Sequence, residues 1–196
     1  NKTVELAGLG PGDRVADVGA GTADLAILAA DRVSERGGVV AIDLNEAMLQ
    51  QGRAKLLGRD GVMMVRGNAE RLPLKDQSVD AVLTGFCLRN VTDFDGALAD
   101  IFRVLKPKGR MVCLEFSKPQ HPILRKLYDF YSFRILPAVG QWVSSDHTGV
   151  YDYLPASIRQ FPDQETFAEK LRRVGFTEVT YCNQAGGIVA IHSGKK

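Results

Sequence analysis

The chain has 196 residues, 45% of them hydrophobic, which is enough apolar material for one sizeable core over residues 1–196. Its formal net charge of +2 gives no strong attraction toward nucleic acid, so no nucleic-acid partner is expected. The few scattered cysteines (Cys87, Cys113 and Cys182) exclude a disulfide framework and a cysteine metal site, and the absence of a signal peptide or a membrane-length apolar run favours a cytoplasmic protein.

Taken in chain order, the apolar pattern predicts strands that alternate with helices. The predicted strands are Arg14–Val18, Gly38–Asp43, Val62–Arg66, Val79–Thr84, Arg110–Phe116, Phe176–Asn183 and Gly187–His192. The predicted helices are Ala23–Arg36, Glu46–Leu57, Asp93–Leu105, Arg125–Phe133 and Asp163–Val174. Right-handed crossovers between such strands indicate a doubly wound, Rossmann-like α/β fold whose seven-stranded sheet is mostly parallel, with an antiparallel hairpin at one edge.

The first strand and the residues after it predict a nucleoside-binding turn. Gly19 and Gly21 allow backbone angles that are closed to other residues, so the chain can turn sharply and let a ligand approach the main chain. Thr22 is expected to cap the helix that follows. The second strand ends on Asp43, whose carboxylate can accept hydrogen bonds from the two hydroxyls of a ribose.

The acidic residues around this turn indicate which nucleoside is bound. A dinucleotide fingerprint needs a third glycine where this chain has Asp24, and a carboxylate there would repel a pyrophosphate. S-adenosylmethionine has no phosphate, and its sulfonium and ammonium groups are cations. Asp17 and Asp24 therefore favour S-adenosylmethionine as the ligand.

Further cofactor contacts are expected in the loops at the carboxyl ends of the next strands, where a doubly wound sheet binds ligands. These loops hold Leu44 after the second strand, Asn68 and Ala69 after the third, and Gly85 at the end of the fourth. The Asn68 side chain can donate to and accept from an adenine edge. It is equally typical of a loop residue that bonds its own backbone.

Longer motifs extend through the rest of the chain. They are Gly19–Asp24, Gly67–Pro73, Leu88–Asp93, Arg103–Pro107, Leu114–Pro119, Tyr128–Phe133, Tyr153–Ile158, Phe161–Gln164 and Gly186–His192. Together they resemble the ubiquinone/menaquinone biosynthesis C-methyltransferases over essentially all 196 residues. Gly19–Asp24 and Arg103–Pro107 occur in many S-adenosylmethionine enzymes, whereas Leu88–Asp93 and Leu114–Pro119 are more specific.

The resemblance implies a class I methyltransferase fold with S-adenosylmethionine as methyl donor, contacted by Thr22, Asp43, Asn68 and Ala69. It also implies an N-terminal segment that covers the site and that this chain lacks. The sequence departs from the family at three positions. The family usually has glycine at Ala23 and Lys108, and it often has serine at Gly85.

The activity that the resemblance implies is C-methylation of a polyprenyl quinol ring, either demethylmenaquinol or a polyprenyl methoxybenzoquinol. Ring methylation needs electron density at the carbon, which removal of a proton from the neighbouring hydroxyl supplies. Arg89 in the loop after the fourth strand is a candidate to stabilise the phenolate, with a structural ion pair as the alternative. Tyr153 and His147 are the other catalytic candidates, and His147 is equally typical of an exposed loop histidine.

An insertion at about residues 118–161, rich in aromatic and basic residues, is predicted to bind the acceptor and to contact a membrane surface. The alternative is that its apolar residues pack against the sheet edge. Two other functions stay open: methylation of another small phenolic or lipid acceptor, and a catalytically weak scaffold in a quinone-biosynthesis complex. A homodimer and a quinone-biosynthesis complex are the two assemblies that stay open.

Overall fold

The structure, a computed structural model, describes residues 2–33, 36–123, 126 and 157–196. Its strands are β1 (Arg14–Val18), β2 (Gly38–Asp43), β3 (Val62–Arg66), β4 (Val79–Gly85), β5 (Leu105–Phe116), β6 (Thr177–Gln184) and β7 (Val189–Lys195). Its α-helices are α1 (Lys2–Ala7), α2 (Asp24–Val33), α3 (Glu46–Lys55), α4 (Phe94–Val104) and α5 (Gln164–Val174). Two short 3-10 turns lie at Leu88–Asn90 and Ala185–Gly187.

The seven strands form one sheet in the order β3-β2-β1-β4-β5-β7-β6. Strands β1 to β5 pair in parallel, and β7 runs antiparallel to both β5 and β6. The predicted doubly wound sheet with an antiparallel edge hairpin is therefore confirmed. The strand order reverses direction at β1 and β4, which is the point where open α/β sheets bind their ligands.

Alternation along the strands places a hydrophobic core on each face of the sheet. On one face Ala16 and Val18 pack with Leu98 of α4 and Phe167 of α5. On the other face Val15 packs with apolar residues of α1 and α2. The central strands are thus buried on both sides, as a parallel sheet requires, and their carboxyl ends are held in a rigid frame.

Several predicted boundaries are corrected by the structure. Helix α1 was not predicted, because its six residues are fewer than a periodicity window needs. Strand β5 begins earlier than predicted because Leu105 already pairs with Val79 of the neighbouring strand β4. Strand β7 begins two residues later than predicted, after the 3-10 turn, and continues to Lys195.

The start of α2 corrects the predicted cap. The helix begins at Asp24, and the carbonyl of Ala23 accepts the first helical hydrogen bond from Ile27, so Ala23 holds the capping position expected for Thr22. Ala23 has a φ of 67° and Lys108 has a φ of 69°, both in the left-handed region that favours glycine. Ala23 and Lys108, which stand where the family usually has glycine, therefore both have strained backbone conformations.

Most of the predicted insertion lies outside the described residues, including the helix predicted at 125–133 apart from Lys126. Among the helices of the described ranges, none combines the length and the hydropathy that crossing a bilayer requires.

Candidate functional site

A cavity of about 780 Å³ opens at the carboxyl ends of the central parallel strands. The loops after β1, β2, β3 and β4 all contribute to its wall. Among its lining residues are Asp17, Gly19, Gly21, Asp24, Leu25, Asp43, Leu44, Met48, Asn68, Ala69, Glu70, Gly85, Phe86, Cys87 and Leu114. Eight of the nine predicted cofactor-contacting residues thus lie on this one cavity, all except Thr22.

The turn after β1 is fastened to β2 through its main chain. The amides of Gly19 and Ala20 both donate to the carbonyl of Ile42, at 2.8 and 3.0 Å. Gly19 has a φ of 70°, and a Cβ added to it would collide with the sulfur of Cys87. Glycine at this position therefore satisfies both the backbone conformation and the close approach of the loop after β4.

The carboxylate of Asp43 is oriented by two backbone amides. Its Oδ2 accepts from the Gly21 amide and its Oδ1 accepts from the Asn45 amide, each at 2.8 Å. Each oxygen retains acceptor capacity, because a carboxylate oxygen has two lone pairs. The geometry matches the predicted role of accepting hydrogen bonds from two vicinal hydroxyls.

Asp17 is a buried carboxyl on the cavity wall. It is 1% exposed, and neither of its oxygens has a hydrogen-bond partner among the described residues. Burial raises the pKa of Asp17 to about 7; the backbone amide of Ala26 lowers it, and the carboxylates of Asp43 and Asp24 raise it further. An unpaired buried carboxyl is costly unless a cation pairs with it, so Asp17 is suited to a cationic ligand.

Thr22 and Asp24 are held by a lysine from the end of α3. Lys55 Nζ donates to Thr22 Oγ1 at 2.7 Å and to the two Asp24 oxygens at 2.9 and 3.0 Å. Thr22 Oγ1 in turn donates to Asp24 Oδ2. As far as the described residues define the cavity, Thr22 is not part of its wall, so the structure does not place it in the predicted cofactor contact.

The loop after β3 is ordered by its own side chains. Asn68 Oδ1 accepts from the Glu70 amide at 3.0 Å, which is the local backbone bond that the sequence left as an alternative. This bond leaves the Asn68 Nδ2 group on the cavity wall as a donor. Glu70 Oε1 accepts from the Thr92 and Asp93 amides, at 2.8 and 3.1 Å, and so ties this loop to the loop after β4.

Apolar contacts for a planar ring are available on the same wall. Leu44 is 61% exposed although it is a large hydrophobic residue, and half-buried Ala69 lines the same cavity. At Gly85 an added Cβ would lie 2.9 Å from Leu25 Cδ1, so Leu25 occupies the space that a serine side chain would need. Leu25 and Met48 were missed by the sequence analysis, since both are ordinary apolar positions of helices.

Arg89 forms a buried ion pair. Its Nη1 donates to Glu115 Oε1 at 2.8 Å and to the carbonyl of Phe86 at 2.7 Å. The Arg89 side chain is 11% exposed and that of Glu115 is 1% exposed. The structure thus contains the ion pair that was the alternative for Arg89, and its catalytic role stays a prediction. The other two catalytic candidates, Tyr153 and His147, lie outside the described residues.

Comparison with known proteins decides the family. The model of the ubiE/COQ5 methyltransferase family matches residues 1–196. The chain belongs to this family. It is 47% identical over 99% of its length to the ubiquinone/menaquinone biosynthesis C-methyltransferase UbiE of Shewanella sp. (strain ANA-3), and covers 78% of that protein. It is 46% identical to the protein of the same name in Shewanella oneidensis, with the same coverage.

Solved structures agree with the ubiE/COQ5 assignment at the level of fold. A SAM-dependent methyltransferase from Aquifex aeolicus has a TM-score of 0.72 at 20% identity, covering 99% of this chain and 87% of that one. A putative methyltransferase from Bacillus halodurans has a TM-score of 0.73 at 19% identity, covering 100% and 97%. The predicted Rossmann-like class I fold is thereby confirmed. Membership in the family likewise confirms an S-adenosylmethionine-dependent C-methyltransferase.

The cavity of this ubiE/COQ5 family member has the donor set that S-adenosylmethionine requires. Asp17 offers an unpaired buried carboxyl for a cationic group, and Asp43 offers an oriented carboxylate for a ribose diol. Leu44 and Ala69 offer apolar contacts for an adenine ring. We infer these individual contacts from the chemistry of the wall.

Replacing Asp43 by alanine is expected to weaken S-adenosylmethionine binding by about 1–3 kcal/mol, the range for a lost hydrogen bond to a charged group. Isothermal titration calorimetry measures the affinity, and circular dichroism shows whether the fold survives. Asp31→Ala is the matched control, because Asp31 lies on a different surface beside Arg59. Equal affinity in parent and Asp43→Ala would remove Asp43 from the ribose site.

Proposed function

We propose that this chain methylates a ring carbon of a reduced polyprenyl quinone, converting demethylmenaquinol to menaquinol, methylating a polyprenyl methoxybenzoquinol, or both. The observation that carries the proposal is the 47% identity, over 99% of the chain, to a Shewanella protein named for C-methylation in ubiquinone and menaquinone biosynthesis. The cavity at the carboxyl ends of β1 to β4 supports it, because its wall suits a cationic methyl donor.

The chain's part in the reaction is to position the reactants and to exclude water. When bound, the methyl donor supplies a methyl group activated by the positive charge of its sulfonium. The ring carbon attacks this methyl with an electron pair, the carbon–sulfur bond breaks, and the ring proton is then lost. Holding the two reactants in line can lower the barrier by up to about 7–11 kcal/mol.

Making the ring carbon nucleophilic is the second task. Loss of the proton from the neighbouring hydroxyl generates a phenolate; His147 remains the predicted base, and Tyr153 remains a further catalytic candidate. Arg89 remains the predicted phenolate stabiliser. The ion pair with Glu115 leaves one donor of the guanidinium available, because Arg89 Nε has no hydrogen-bond partner among the described residues.

Arg89→Lys keeps the positive charge but loses the planar fork of donors, so it is expected to lower turnover far more than cofactor affinity. Steady-state turnover with a reduced quinone and calorimetry with S-adenosylmethionine measure the two effects. Arg103→Lys is the control, since Arg103 also forms ion pairs, with Asp76 and Asp100, but has no contact with Phe86 or Glu115. Turnover of Arg89→Lys within about twofold of the parent would contradict a catalytic role.

A product assay tests the proposed function directly. The protein is incubated with labelled S-adenosylmethionine and with reduced naphthoquinones and benzoquinones, and the products are identified by mass spectrometry. We expect a ring-methylated quinol from at least one ring type. Methylation of other phenols or lipids in preference to every quinol would overturn the proposed acceptor. Cofactor binding without any methyl transfer would support a scaffold role instead.

We further propose that residues 1–196 act as one methyltransferase domain whose segment 118–161 binds the acceptor at a membrane surface. Polyprenyl quinols partition into bilayers, and a basic residue near an anionic leaflet contributes about 1 kcal/mol. The proposal rests on the basic and aromatic composition of that segment. It also accommodates the absence of a membrane-spanning helix from the described ranges.

Changing both Arg125 and Lys126 to glutamate is expected to reduce flotation of the protein with anionic liposomes, because two attractive charges become repulsive. Changing Arg172 and Arg173 of α5 to glutamate is the matched control, with the same change in net charge at another pair of adjacent basic residues. Equal flotation of the parent and of the variant with both Arg125 and Lys126 changed would contradict the proposed membrane contact.

A further inference from the structure

Phe86 combines three features that packing alone does not require. Its φ is 54°, in the left-handed region that a residue with a bulky side chain rarely adopts. The residue is 38% exposed, although it is large and hydrophobic. It follows directly after Gly85 at the end of β4 and lies on the wall of the cavity. Strained residues of this kind persist where the surrounding structure holds them, and they are frequent at functional sites.

The strained backbone of Phe86 is held by side chains from its own loop. Its carbonyl accepts from Arg89 Nη1 at 2.7 Å and from Asn90 Nδ2 at 3.5 Å. Its amide donates to the Leu114 carbonyl of β5 at 2.9 Å. Both backbone polar groups of Phe86 are thus bonded, so the unfavourable φ is compensated locally.

Arg89 is itself held by Glu115 of β5. Glu115 Oε1 accepts from Arg89 Nη1 at 2.8 Å and from the Phe116 amide at 2.9 Å, and Glu115 Oε2 accepts from the Arg89 amide at 3.3 Å. The buried carboxylate therefore fixes the main chain and the side chain of Arg89 together. Through Arg89, the end of β5 determines the backbone conformation of Phe86.

The same bonds place two aromatic rings side by side. The ring centroids of Phe86 and Phe116 are 4.8 Å apart, with an interplanar angle of 43°. The guanidinium carbon of Arg89 lies 5.8 Å from the Phe86 centroid and 5.2 Å from that of Phe116, within the range of a cation–π contact. Phe86, Phe116 and Arg89 form one unit at the carboxyl ends of β4 and β5.

The topology places this unit on the acceptor side of the methyl group. The inferred ribose and adenine contacts, Asp43 and Asn68 with Ala69, follow β2 and β3, and the Asp17 carboxyl lies on β1. Because β4 and β5 lie on the opposite side of β1 from β2 and β3, an acceptor that approaches the methyl group has access from the β4 and β5 side.

We propose that the Phe86 ring is the wall against which the aromatic ring of the acceptor packs, and that Arg89 and Glu115 are the residues that position Phe86. This inference rests on the proposed quinol acceptor and names a residue for its binding. A tilted or offset aromatic pair is favourable beyond the apolar area that it buries, and the Phe86 ring is accessible in the cavity.

Two substitutions separate binding of the acceptor from relief of strain. Phe86→Gly and Phe86→Ala both remove the ring, but glycine adopts a φ of 54° without strain, whereas alanine adopts it at a cost in stability. In both variants we expect the KM for the reduced quinol to rise about tenfold, while the dissociation constant of S-adenosylmethionine stays within about twofold. Phe86→Gly should also melt at a higher temperature than Phe86→Ala. Phe86→Tyr keeps the ring and should retain a KM near that of the parent.

Lys108→Gly is the control for strain relief alone. Lys108 has a φ of 69°, is exposed, and lies in β5 near its amino end, at the opposite end of the strand from Phe116. This variant should melt at a higher temperature than the parent and keep both its KM and its cofactor affinity. Its kinetics thus show the effect of a more stable fold without a change at the cavity.

The outcomes distinguish this inference from the proposed function. If the parent methylates no reduced quinol, the proposed function fails before Phe86 is tested. If the parent is active and Phe86→Gly keeps the parental KM, Phe86 is not the acceptor wall. A weakened S-adenosylmethionine affinity with an unchanged quinol KM would also overturn the inference, because the ring would then contact the methyl donor.

Discussion

Glu115→Ala is expected to destabilise the protein by about 3–5 kcal/mol, the range for removing one partner of a buried ion pair. Glu115 is 1% exposed, and its loss would leave the guanidinium of Arg89, which is 11% exposed, without a counter-charge. The Phe116 amide and the Arg89 amide would lose their acceptor as well. Urea denaturation followed by circular dichroism measures the free energy of unfolding.

A double variant separates the lost ion pair from the lost volume. In Glu115→Gln with Arg89→Met both charges are absent, so no buried charge is left without a partner. We expect its free energy of unfolding to be closer to that of the parent than the sum of the two single variants predicts. Additive losses, or a loss below about 1 kcal/mol for Glu115→Ala, would show that the pair is solvated and weak.

Asp17→Asn is expected to weaken S-adenosylmethionine binding by about 1.5–3 kcal/mol, since it removes the charge of a hydrogen bond to a cationic group. In the parent, the affinity should also fall as the pH drops below about 7, because Asp17 has a pKa of about 7 and must be ionised to pair with the cation. The variant should lose this dependence on pH. Calorimetry at pH 6 and pH 8 measures both effects.

The free energy of unfolding of the ligand-free protein is expected to fall as the pH rises, whereas the affinity for S-adenosylmethionine rises with pH. The folded-state pKa of Asp17 lies above the ordinary value of 3.8, so the folded protein binds more protons between pH 4 and pH 7. The contribution of Asp17 to stability is therefore fully present below pH 4 and is lost as the pH rises toward 7. At about 1.4 kcal/mol per pKa unit, Asp17→Asn should gain up to about 3 kcal/mol relative to the parent between pH 5 and pH 8.

His192 titrates in the same range and must be separated from Asp17. Burial lowers the pKa of His192 to about 4, so its contribution to stability is lost as the pH falls from 6.5 toward 4. This effect is equal in parent and variant, and the difference between them isolates Asp17. Glu178→Gln is the control, because Lys195 lowers the pKa of that exposed carboxyl and Glu178 does not line the cavity. A constant difference between parent and Asp17→Asn from pH 5 to pH 8 would contradict the raised pKa.

The central part of the site was predictable because its determinants are local in sequence. The strand, the glycine turn and Asp43 lie within 30 residues, and the parallel register pairs Val18 with Ile42, which brings the turn to the end of β2. Any fold that builds this βαβ unit places Gly21 beside Asp43. The loops that carry Asn68 and Gly85 were also predictable, since parallel strands end at one edge of the sheet.

The roles of individual polar side chains were less predictable, because their partners are distant in sequence. Lys55 binds Thr22 and Asp24 from 33 and 31 residues away, and the cofactor contact of Thr22 stays a prediction. Helix periodicity identifies α3 but does not indicate what the lysine at its end will contact.

What the sequence by itself determined is the order of elements, the nucleoside-binding turn and, through its motifs, the ubiE/COQ5 family. Only the tertiary structure decided the charge and the conformation of the groups in the cavity. The pKa of Asp17 follows from complete burial between two other carboxylates, and the left-handed Phe86 follows from an ion pair between residues 26 positions apart. Burial and long-range pairing arise when strands and helices pack together, whereas periodicity and turn chemistry are already present in a short stretch of chain.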